Sequence, residues 1–389
     1  MPYRILTLNS ISRRGLERLP RERFEVAADL RDPDAILVRS ADMHGTTVPA
    51  SVLAVGRAGA GTNNIPVAEL SKRGIPVFNA PGANANAVKE LVLAGLFLAA
   101  RNICQAWSFA RSLSGDDHAI DEAVEKGKKQ FVGFELPGRT LGVIGLGAIG
   151  VEVANSALGL GMKVLGYDPQ ITVHRAWQLS ASVEQALSLD DLFARSDVIS
   201  VHVPLNSDTR GLVNAARLKL MRRGGVILNF ARAPIVDDAV VIASIDAGHL
   251  GAYVCDFPTN ALKDHARVVT LPHLGASTAE AEENCAVMVA DTVRDYLENG
   301  NVRNSVNFPE AVLPRVPGVT RLAVANRNVP NMVGQISTCL AAAGLNIADL
   351  LNKSRGEYAY TLIDIDSAVP EGVLAQIRGI EGVLAARVP

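Results

Sequence analysis

The chain has 389 residues, enough for two or three domains at roughly 150 residues each. Hydrophobic residues make up 48% and charged residues 20%, a balance typical of compact globular proteins that excludes wholesale disorder and collagen-like repeats. The formal net charge of -2 provides no global field for attracting polyanions. We therefore expect neither nucleic acid nor a membrane as a partner.

The four cysteines lie far apart without a CxxC pair, which fits a reducing compartment. The stretch MPYRILTLNSISRRG lacks the apolar run of a signal peptide. The strongest apolar run, LVLAGLFLAA, is half the length of a membrane span. These features predict a cytoplasmic protein, and no residue pattern predicts a metal site.

From residue 2 to about 80, short β-rich runs alternate with helical stretches. The β-rich runs are YRILTL, FEVAA, AILVRS and IPVFNA, and VAELSKRG is one of the helical stretches. This alternation predicts a parallel sheet built from βαβ units. A long helical pattern follows from about Ala85 to Cys104.

A second series of strands and helices begins after the turn signal LPGR at 136–139. Its six β-rich runs are LGVI, VLGYDP, VISVHVP, VILNFA, AYVCDF and VVTLPH. Strands separated by helices in this way predict a doubly wound sheet. After His273 a helical pattern of about 20 residues ends in Asn-Gly.

Three prolines, Pro309, Pro314 and Pro317, exclude regular structure and predict a linker over 309–317. Residues 318–389 then have the pattern βαββαβ, with clear alternation in YAYTLIDID. A small sandwich of this kind usually binds a ligand or a partner.

The sequence GLGAIG follows the strand LGVI and opens a helix, as a dinucleotide-binding turn requires. Gly145 would make the turn, Gly147 would admit a pyrophosphate to the backbone, and Gly150 would let helix and strand pack closely. Asp168 ends the next strand, where its carboxylate can bind ribose hydroxyls and repel a 2′-phosphate. The pattern favours NAD over NADP, and its alternative is a tight turn without a ligand.

Two further strand ends carry reactive side chains. Arg232 ends NFAR at the carboxyl edge of the sheet, where its guanidinium could bind a substrate carboxylate and polarise the adjacent carbonyl. His273 ends LPH and could exchange the hydroxyl proton near neutral pH. Considered one at a time, each residue has an alternative interpretation: Arg232 as a solvated arginine at a strand end, and His273 as a structural histidine.

The chain resembles the D-isomer-specific 2-hydroxyacid dehydrogenase family, and within it the members that carry a C-terminal ACT domain. The motifs that carry the resemblance occur in order over almost the whole chain: RAGAGTNNIPVAELSKRGIPVFNAPGANANAVKELVLAG, GVIGLGAIG, HVPLNSDTRGLVN, NFAR and PHLGAST. The resemblance implies two doubly wound parallel-sheet domains, one flavodoxin-like and one Rossmann, and an ACT-like domain. It implies domain ranges of 1–95 with 280–308 for the substrate, 96–279 for NAD, 309–317 for the linker and 318–389 for the ACT-like part.

The resemblance also assigns roles to individual positions. Arg232 corresponds to the carboxylate-binding arginine and His273 to the acid/base histidine, which we take as the catalytic residues. The implied cofactor contacts are Gly145, Gly147, Ala148, Ile149, Gly150, Asp168, Phe230, Ala231, Arg232, Asp256, His273 and Gly275. The implied substrate contacts are the backbone of Ala58, Gly59 and Ala60 and the side chains of Arg39, Arg57 and Arg232. The alternative for Gly59 and Gly61 is that they serve only to form a turn.

One departure from the family pattern concerns the partner of His273. The family pairs its histidine with a glutamate a few residues after DVF, whereas this chain reads DFPTNALKDH with Asn260 at that place. The partner is therefore missing, or is replaced by Lys263, Asp264, His265 or a residue elsewhere.

In the ACT-like part, Asn326, Asn328 and Asn346 match positions at which the family binds an amino-acid effector such as L-serine. The family often has histidine in place of Asn326 and glycine in place of Asn331. The alternative is that these asparagines act only as caps and turn formers.

The activity implied by the resemblance is NAD-dependent oxidation of 3-phospho-D-glycerate to 3-phosphohydroxypyruvate, the entry to serine synthesis, by a homodimer or homotetramer. One alternative is a glyoxylate, hydroxypyruvate or D-lactate reductase, which normally lacks the ACT extension. A second alternative is a non-catalytic regulator that senses NAD(H).

Overall fold

A computed structural model describes residues 2–389 of the chain. Residues up to Asn84 together with Ala279–Pro389 form one compact unit, and Ala85–Thr278 form a second. The finer division into substrate, NAD, linker and ACT-like segments stays a prediction. Within the described residues, no helix combines the length and apolar character of a membrane span.

The first unit opens with a five-stranded sheet. Its strands are β1 (Tyr3–Leu8), β2 (Phe24–Ala27), β3 (Ala35–Val38), β4 (Ala54–Arg57) and β5 (Val77–Phe78), and its helices are α1 (Arg13–Leu16) and α2 (Val67–Lys72). The strands are parallel in the order β2-β1-β3-β4-β5. All of β3 is buried, as expected for a parallel strand covered on both faces.

The second unit contains a seven-stranded parallel sheet. Its strands are β6 (Thr140–Ile144), β7 (Lys163–Tyr167), β8 (Glu184–Gln185), β9 (Val198–Val201), β10 (Gly225–Asn229), β11 (Leu250–Cys255) and β12 (Val268–Thr270). They lie in the order β12-β11-β10-β9-β6-β7-β8. Sequence analysis predicted six of them and missed the two-residue edge strand β8.

Helices surround this sheet and extend beyond it. They are α3 (Ala85–Ala100), α4 (Ile103–Ser112), α5 (Asp117–Gly127), α6 (Ala148–Gly159), α7 (Val173–Gln178), α8 (Leu189–Arg195), α9 (Ala215–Leu220) and α10 (Asp238–Asp246), with short 3-10 turns at Lys128–Phe131 and Ala233–Ile235. Helix α3 buries Val92 and Leu96 in the core of this unit. Helices α4 and α5 have no buried residue.

The direction of strand order reverses at β6, which lies between β7 and β9. In open α/β sheets, ligands bind at such a switch point, outside the carboxyl ends of the strands. The strand ends Ile144, Tyr167, Val201, Asn229 and Cys255 all lie at this edge because the strands are parallel. The fold therefore directs the side chains that follow these strands to one place.

The chain returns to the first unit with the long helix α11 (Ala279–Asn299) and ends in a four-stranded antiparallel sheet. The sheet contains β13 (Thr320–Arg327), β14 (Ile347–Arg355), β15 (Tyr358–Ile365) and β16 (Val383–Arg387) in the order β14-β15-β13-β16. Helices α12 (Met332–Ala342) and α13 (Glu371–Arg378) complete the predicted βαββαβ pattern. Together the three sheets confirm the predicted fold class.

Both faces of strand β13, in the C-terminal sheet, are covered. Leu322 and Val324 pack with α12 and α13, whereas Ala323 and Ala325 join the core that contains α11 and the first sheet. This alternation follows from the two faces of a strand. The C-terminal sheet is thus packed into the first unit.

The proline-rich segment before β13 is also packed. Ala311 is 0% exposed and exchanges two backbone hydrogen bonds with Val302. The fully buried Arg321 donates to the carbonyl oxygens of Leu313 (2.6 Å) and Pro314 (3.0 Å) and pairs with the buried Asp364 at 2.7 Å. Hydrogen bonds therefore hold Ala311, Leu313 and Pro314 of the predicted linker, whereas residues 315–317 are exposed.

Candidate active site

Two of the three glycines after β6 occupy positions that only glycine fits. Gly145 has a φ of +90°, and a Cβ there would lie 2.6 Å from the carbonyl oxygen of His202. A Cβ at Gly150 would lie 1.9 Å from the carbonyl oxygen of Gly145. By contrast, nothing lies within 4 Å of a Cβ placed on Gly147. The turn is tight on its protein side and open at Gly147.

Helix α6 begins at Ala148, directly after this turn, and no side chain caps it. The first N–H groups of a helix have no partner inside the helix and attract anions. Ala148 and Ile149 are half-buried, and their N–H groups belong to this first turn. The open space at Gly147 and the uncapped helix fit the pyrophosphate of NAD.

Asp168 follows β7 and holds the glycine turn in place. Its Oδ2 accepts a hydrogen bond from the Leu146 N–H at 2.8 Å, and its Oδ1 accepts one from the Gln170 N–H at 2.9 Å. A carboxylate has about four acceptor sites, so two remain for ribose hydroxyls. Asp168 therefore has both a structural function and the chemistry predicted for the ribose.

The segment after β10 is held by Asn229, which sequence analysis did not single out. Its buried side chain accepts from the Ala231 N–H at 3.2 Å and donates to the Arg232 carbonyl oxygen at 3.0 Å. Phe230 is buried, and its ring lies 2.8 Å from a Cβ placed on Gly95 of α3. The Arg232 side chain is exposed, and its Nη1 donates to the Ala231 carbonyl oxygen at 2.7 Å.

His273 occupies a loop with unusual backbone geometry. Its φ is +56°, in the left-handed region that few non-glycine residues adopt. The His273 N–H donates to the carbonyl oxygens of Asp256 (3.1 Å) and Leu271 (3.0 Å). The exposed imidazole makes an edge contact with the ring of Phe257, 5.3 Å between centroids.

Asp256 is the residue that fixes this loop. It is 1% exposed, and its two carboxylate oxygens accept from the N–H groups of Leu274 (2.7 Å) and Gly275 (2.8 Å). Charge-assisted hydrogen bonds of this kind are stronger than neutral ones. The resemblance predicts Asp256 as a cofactor contact, and the structure shows that each of its carboxylate oxygens accepts a hydrogen bond from the histidine loop.

None of the proposed substitutes for the family glutamate bonds to the imidazole. Lys263 lies 3.9 Å from Asp264 on the surface, and His265 bonds to Asp246 at 3.1 Å. Among residues 2–389, no side chain forms a hydrogen bond with the His273 ring. The orientation of His273 therefore depends on its loop and on Phe257.

A second histidine, His202, follows β9 and was also missed as a separate feature. Its Nε2 lies 2.8 Å from the Ser200 Oγ, and its backbone N–H bonds to Ile144 at 2.7 Å. Burial lowers the pKa of His202 to about 3. The ring is therefore neutral near pH 7, and the backbone carbonyl of His202 is the group that approaches Gly145.

In the first unit, Arg39 directly follows β3 and Arg57 is the last residue of β4. The Arg57 Nε donates to the Arg39 carbonyl oxygen at 3.1 Å, and the Arg39 side chain pairs with Glu282 of α11. A Cβ on Gly59 would lie 1.8 Å from the Arg57 Nη1, so Gly59 makes room for this guanidinium. The structure thus brings the two arginines together.

The loop after β4 uses part of its own hydrogen-bonding capacity. The Ala58 N–H donates to Val38 at 2.8 Å and the Gly59 N–H donates to the Arg57 carbonyl oxygen at 2.8 Å. Within residues 2–389, the Ala60 N–H makes no hydrogen bond. Of the three backbone positions predicted to bind substrate, only Ala60 has its N–H available in this conformation.

The three effector candidates do not meet within one chain. Asn326 pairs with Ala359 at one end of the C-terminal sheet, whereas Asn346 precedes β14, whose first residue pairs with Ile365 at the other end. Six residues along a strand separate these ends by about 20 Å. Asn328 lies near Asn326, and its Nδ2 donates to Gly356 at 3.0 Å.

The asparagines also have structural contacts. Asn346 donates to Asp366 at 3.1 Å, and the buried Asn326 donates to the Arg327 carbonyl oxygen at 2.7 Å while its Oδ1 has no partner. Asn331 has a φ of +62°, a conformation that glycine or asparagine tolerates. This backbone geometry explains why glycine is common at that position.

Comparison with known proteins agrees with this geometry. Residues 96–275 match the family model described as D-isomer specific 2-hydroxyacid dehydrogenase, NAD binding domain. The D-3-phosphoglycerate dehydrogenase of Haemophilus influenzae is 34% identical over 351 residues, 87% of this chain and 81% of that one. The chain belongs to the D-isomer-specific 2-hydroxyacid dehydrogenase family. The predicted family and the predicted cofactor, NAD, are thereby confirmed.

Two further relatives extend this comparison. The D-3-phosphoglycerate dehydrogenase of Mycobacterium bovis is 36% identical over 382 residues, 92% of this chain and 69% of that one. The crystal structure of NAD+-bound 3-phosphoglycerate dehydrogenase from Entamoeba histolytica has a TM-score of 0.61 and 26% identity, and covers 79% of this chain and 99% of that one. This dehydrogenase therefore shares fold and sequence with NAD-dependent relatives over most of its length.

Proposed function

We propose that this dehydrogenase oxidises 3-phospho-D-glycerate to 3-phosphohydroxypyruvate with NAD. The observation that carries the proposal is one sheet edge that presents the glycine turn, Asp168, Arg232 and the His273 loop together. The relatives named D-3-phosphoglycerate dehydrogenase support the substrate. The βαββαβ extension supports it further, because the reductase alternatives normally lack such a part.

Each reactive residue has one task in this proposal. When bound on the glycine turn, NAD would supply the acceptor for the hydride that leaves substrate C2. Arg232 binds the substrate carboxylate with its planar fork of donors. The His273 ring takes the proton of the C2 hydroxyl, so that the carbonyl of the product can form. Asp256 positions His273 by holding the two N–H groups that follow it.

The substrate phosphate is assigned to Arg39 and Arg57. Both arginines lie at the carboxyl ends of the adjacent parallel strands β3 and β4, and arginine recognises phosphate by paired hydrogen bonds. The pairing of Arg39 with Glu282 means that phosphate competes with a carboxylate for this side chain. Gly59 supports the site by leaving room for Arg57.

We also propose a homo-oligomer in the cytoplasm. Helices α4 and α5 bury none of their residues, and Trp107 on α4 is 62% exposed. Such a surface suits a second copy of the chain. The dispersed cysteines fit a reducing compartment.

We propose that L-serine regulates the enzyme at a site that requires residues from two copies of the chain. Asn326 and Asn346 lie at opposite ends of one sheet, so they can share an effector only across two chains. The edge strand β14 has one free side and offers a place for such pairing. Calorimetric titration of L-serine into the active enzyme tests this directly.

The experiment for the main proposal is an NADH absorbance assay with four substrates. We expect phosphohydroxypyruvate to be reduced with a higher kcat/KM than hydroxypyruvate, glyoxylate or pyruvate. Preference for glyoxylate or pyruvate would favour the reductase alternative. Tight NADH binding with no turnover of any of the four would favour the sensing regulator.

A further inference from the structure

A cavity of about 480 Å³ lies within the first unit, between the C-terminal sheet and the first sheet. It contains none of the residues assigned to substrate, cofactor or effector. The residues used below line it: Arg73, Ile75, Tyr296, Arg378, Leu384 and Arg387. We refer to it as the arginine cavity.

The arginine cavity has a strong excess of positive charge. Three arginines line it, and no aspartate or glutamate does. Arg378 pairs with Glu371 at 2.6 Å, whereas within residues 2–389 neither Arg73 nor Arg387 forms an ion pair. Two guanidinium charges at this cavity therefore lack a carboxylate partner.

Both of these guanidinium groups are held by neutral acceptors. Arg73 donates to the carbonyl oxygens of Val48 (2.9 Å) and Pro49 (2.7 Å). Arg387 donates to the carbonyl oxygens of Leu297 (3.1 Å) and Tyr296, at the carboxyl end of α11. These contacts fix the two side chains before any ligand binds.

Arg387 retains one unmade hydrogen bond. Its Nε is buried without a partner, while its guanidinium lies 4.4 Å above the ring of Tyr296. A buried cation that lacks a counter-charge costs free energy, and an anion would recover part of that cost. The arrangement is expected of a preformed anion site.

We propose that the arginine cavity binds a small, multiply charged anion, either a phosphate monoester or a short dicarboxylate. Its volume exceeds that of inorganic phosphate and falls within the range of small-molecule sites. Ile75 and Leu384 provide apolar wall for a short carbon skeleton. The ligand would bridge Arg73 of the first sheet region and Arg387 of the C-terminal sheet.

Such a ligand joins two parts of the same unit. Arg387 is the last residue of β16, and Arg73 follows α2. Binding would therefore strengthen the docking of the C-terminal sheet and raise the unfolding temperature by mass action. This site is separate from the proposed serine site, since none of the three effector asparagines lines the cavity.

The test is calorimetric titration of the full chain with sodium phosphate, sodium malonate and sodium chloride at matched ionic strength. All titrations use a variant with the substitutions Arg57→Gln and Arg232→Ala. These remove two arginines that we propose bind substrate anions. We expect saturable binding of phosphate or malonate at one site per chain, and none of chloride. Saturation by phosphate identifies the phosphate class, and saturation by malonate alone identifies the dicarboxylate class.

Arg73→Gln in this background is the decisive variant because Arg73 is exposed and bonds only to two carbonyls, so that the chain should fold. We expect its affinity for the anion to fall about tenfold or more, as for loss of one charge-assisted pair. The matched control is Arg355→Gln, since Arg355 is exposed and also donates to a carbonyl, at 3.1 Å. Equal effects of the two variants, or no saturable binding up to about 10 mM, would overturn the proposal.

Discussion

Replacing Asp256 by alanine isolates the contribution of the His273 loop to catalysis. The variant removes the acceptors of two short bonds, from the Leu274 N–H (2.7 Å) and the Gly275 N–H (2.8 Å). Each bond to a charged group contributes about 1.5–3 kcal/mol, and neighbouring bonds add incompletely. We therefore expect the ordered loop to lose about 3 kcal/mol, a shift of about 100-fold toward disordered conformations.

The expected kinetic result is a fall in kcat of about 10- to 100-fold, with the NAD dissociation constant changed by no more than about threefold. Steady-state NADH absorbance gives kcat, and hydrogen exchange at residues 273–276 reports the loop. Asp256→Asn keeps one acceptor and should lie between wild type and alanine. The reasoning is refuted if NAD affinity falls more than tenfold while the exchange of the loop stays unchanged, because Asp256 would then act on the cofactor.

Three further predictions concern the same sheet edge. Asp168→Ala should relax the preference for NAD over NADP, measured as the ratio of the two kcat/KM values. It should also loosen the glycine turn, because the Leu146 N–H loses its acceptor. An unchanged ratio would contradict the assignment of Asp168 to the ribose. Arg232→Ala should raise KM and lower kcat, whereas His273→Ala should lower kcat by about 10²-fold and leave KM nearer normal. Near-normal turnover of the His273→Ala variant would contradict the acid/base role of His273. Since burial lowers the His202 pKa from 6.5 to about 3, the unfolded chain takes up a proton that the folded chain refuses, so stability should fall as the pH drops from about 6.5 toward 3. His202→Asn should flatten this loss in urea unfolding at pH 7 and pH 5, and an identical pH dependence would argue against it.

The succession of strands and helices along the chain, and the residues that follow the strands, could be predicted from the sequence, except for the short edge strand β8. Parallel strands place their carboxyl ends on one edge, so the sequence predicts that Gly145, Asp168, Arg232 and His273 lie along the same edge. The family motifs then supplied the roles. Periodicity alone carried no information about the substrate.

The supporting hydrogen bonds could not be predicted in the same way. Asn229 and Asp256 act through backbone N–H and carbonyl groups of loops whose conformation is set by the whole sheet edge. The motif NFAR contained Asn229, but a buried asparagine has no sequence signature that distinguishes it from an exposed one. The positive φ of His273 was likewise invisible in the sequence.

The docking of the C-terminal sheet had a signal that sequence analysis did not use. The run RLAVAN has apolar residues on both faces of a strand, and residues 321–326 of β13 are buried. A sheet covered only by its own helices needs one apolar face, so the second face indicated a further contact. The three prolines predicted a linker instead, although Arg321 donates hydrogen bonds to the carbonyl oxygens of Leu313 and Pro314 in that segment.

The most direct test of the proposed activity is the ratio of kcat/KM for 3-phospho-D-glycerate to kcat/KM for D-glycerate, each with NAD. The two substrates differ only in the phosphate, which we assign to Arg39 and Arg57. We expect a ratio of at least about 100, because paired charge-assisted hydrogen bonds to phosphate are lost with the shorter substrate. A ratio near one, or oxidation of D-glycerate alone, would contradict the proposal.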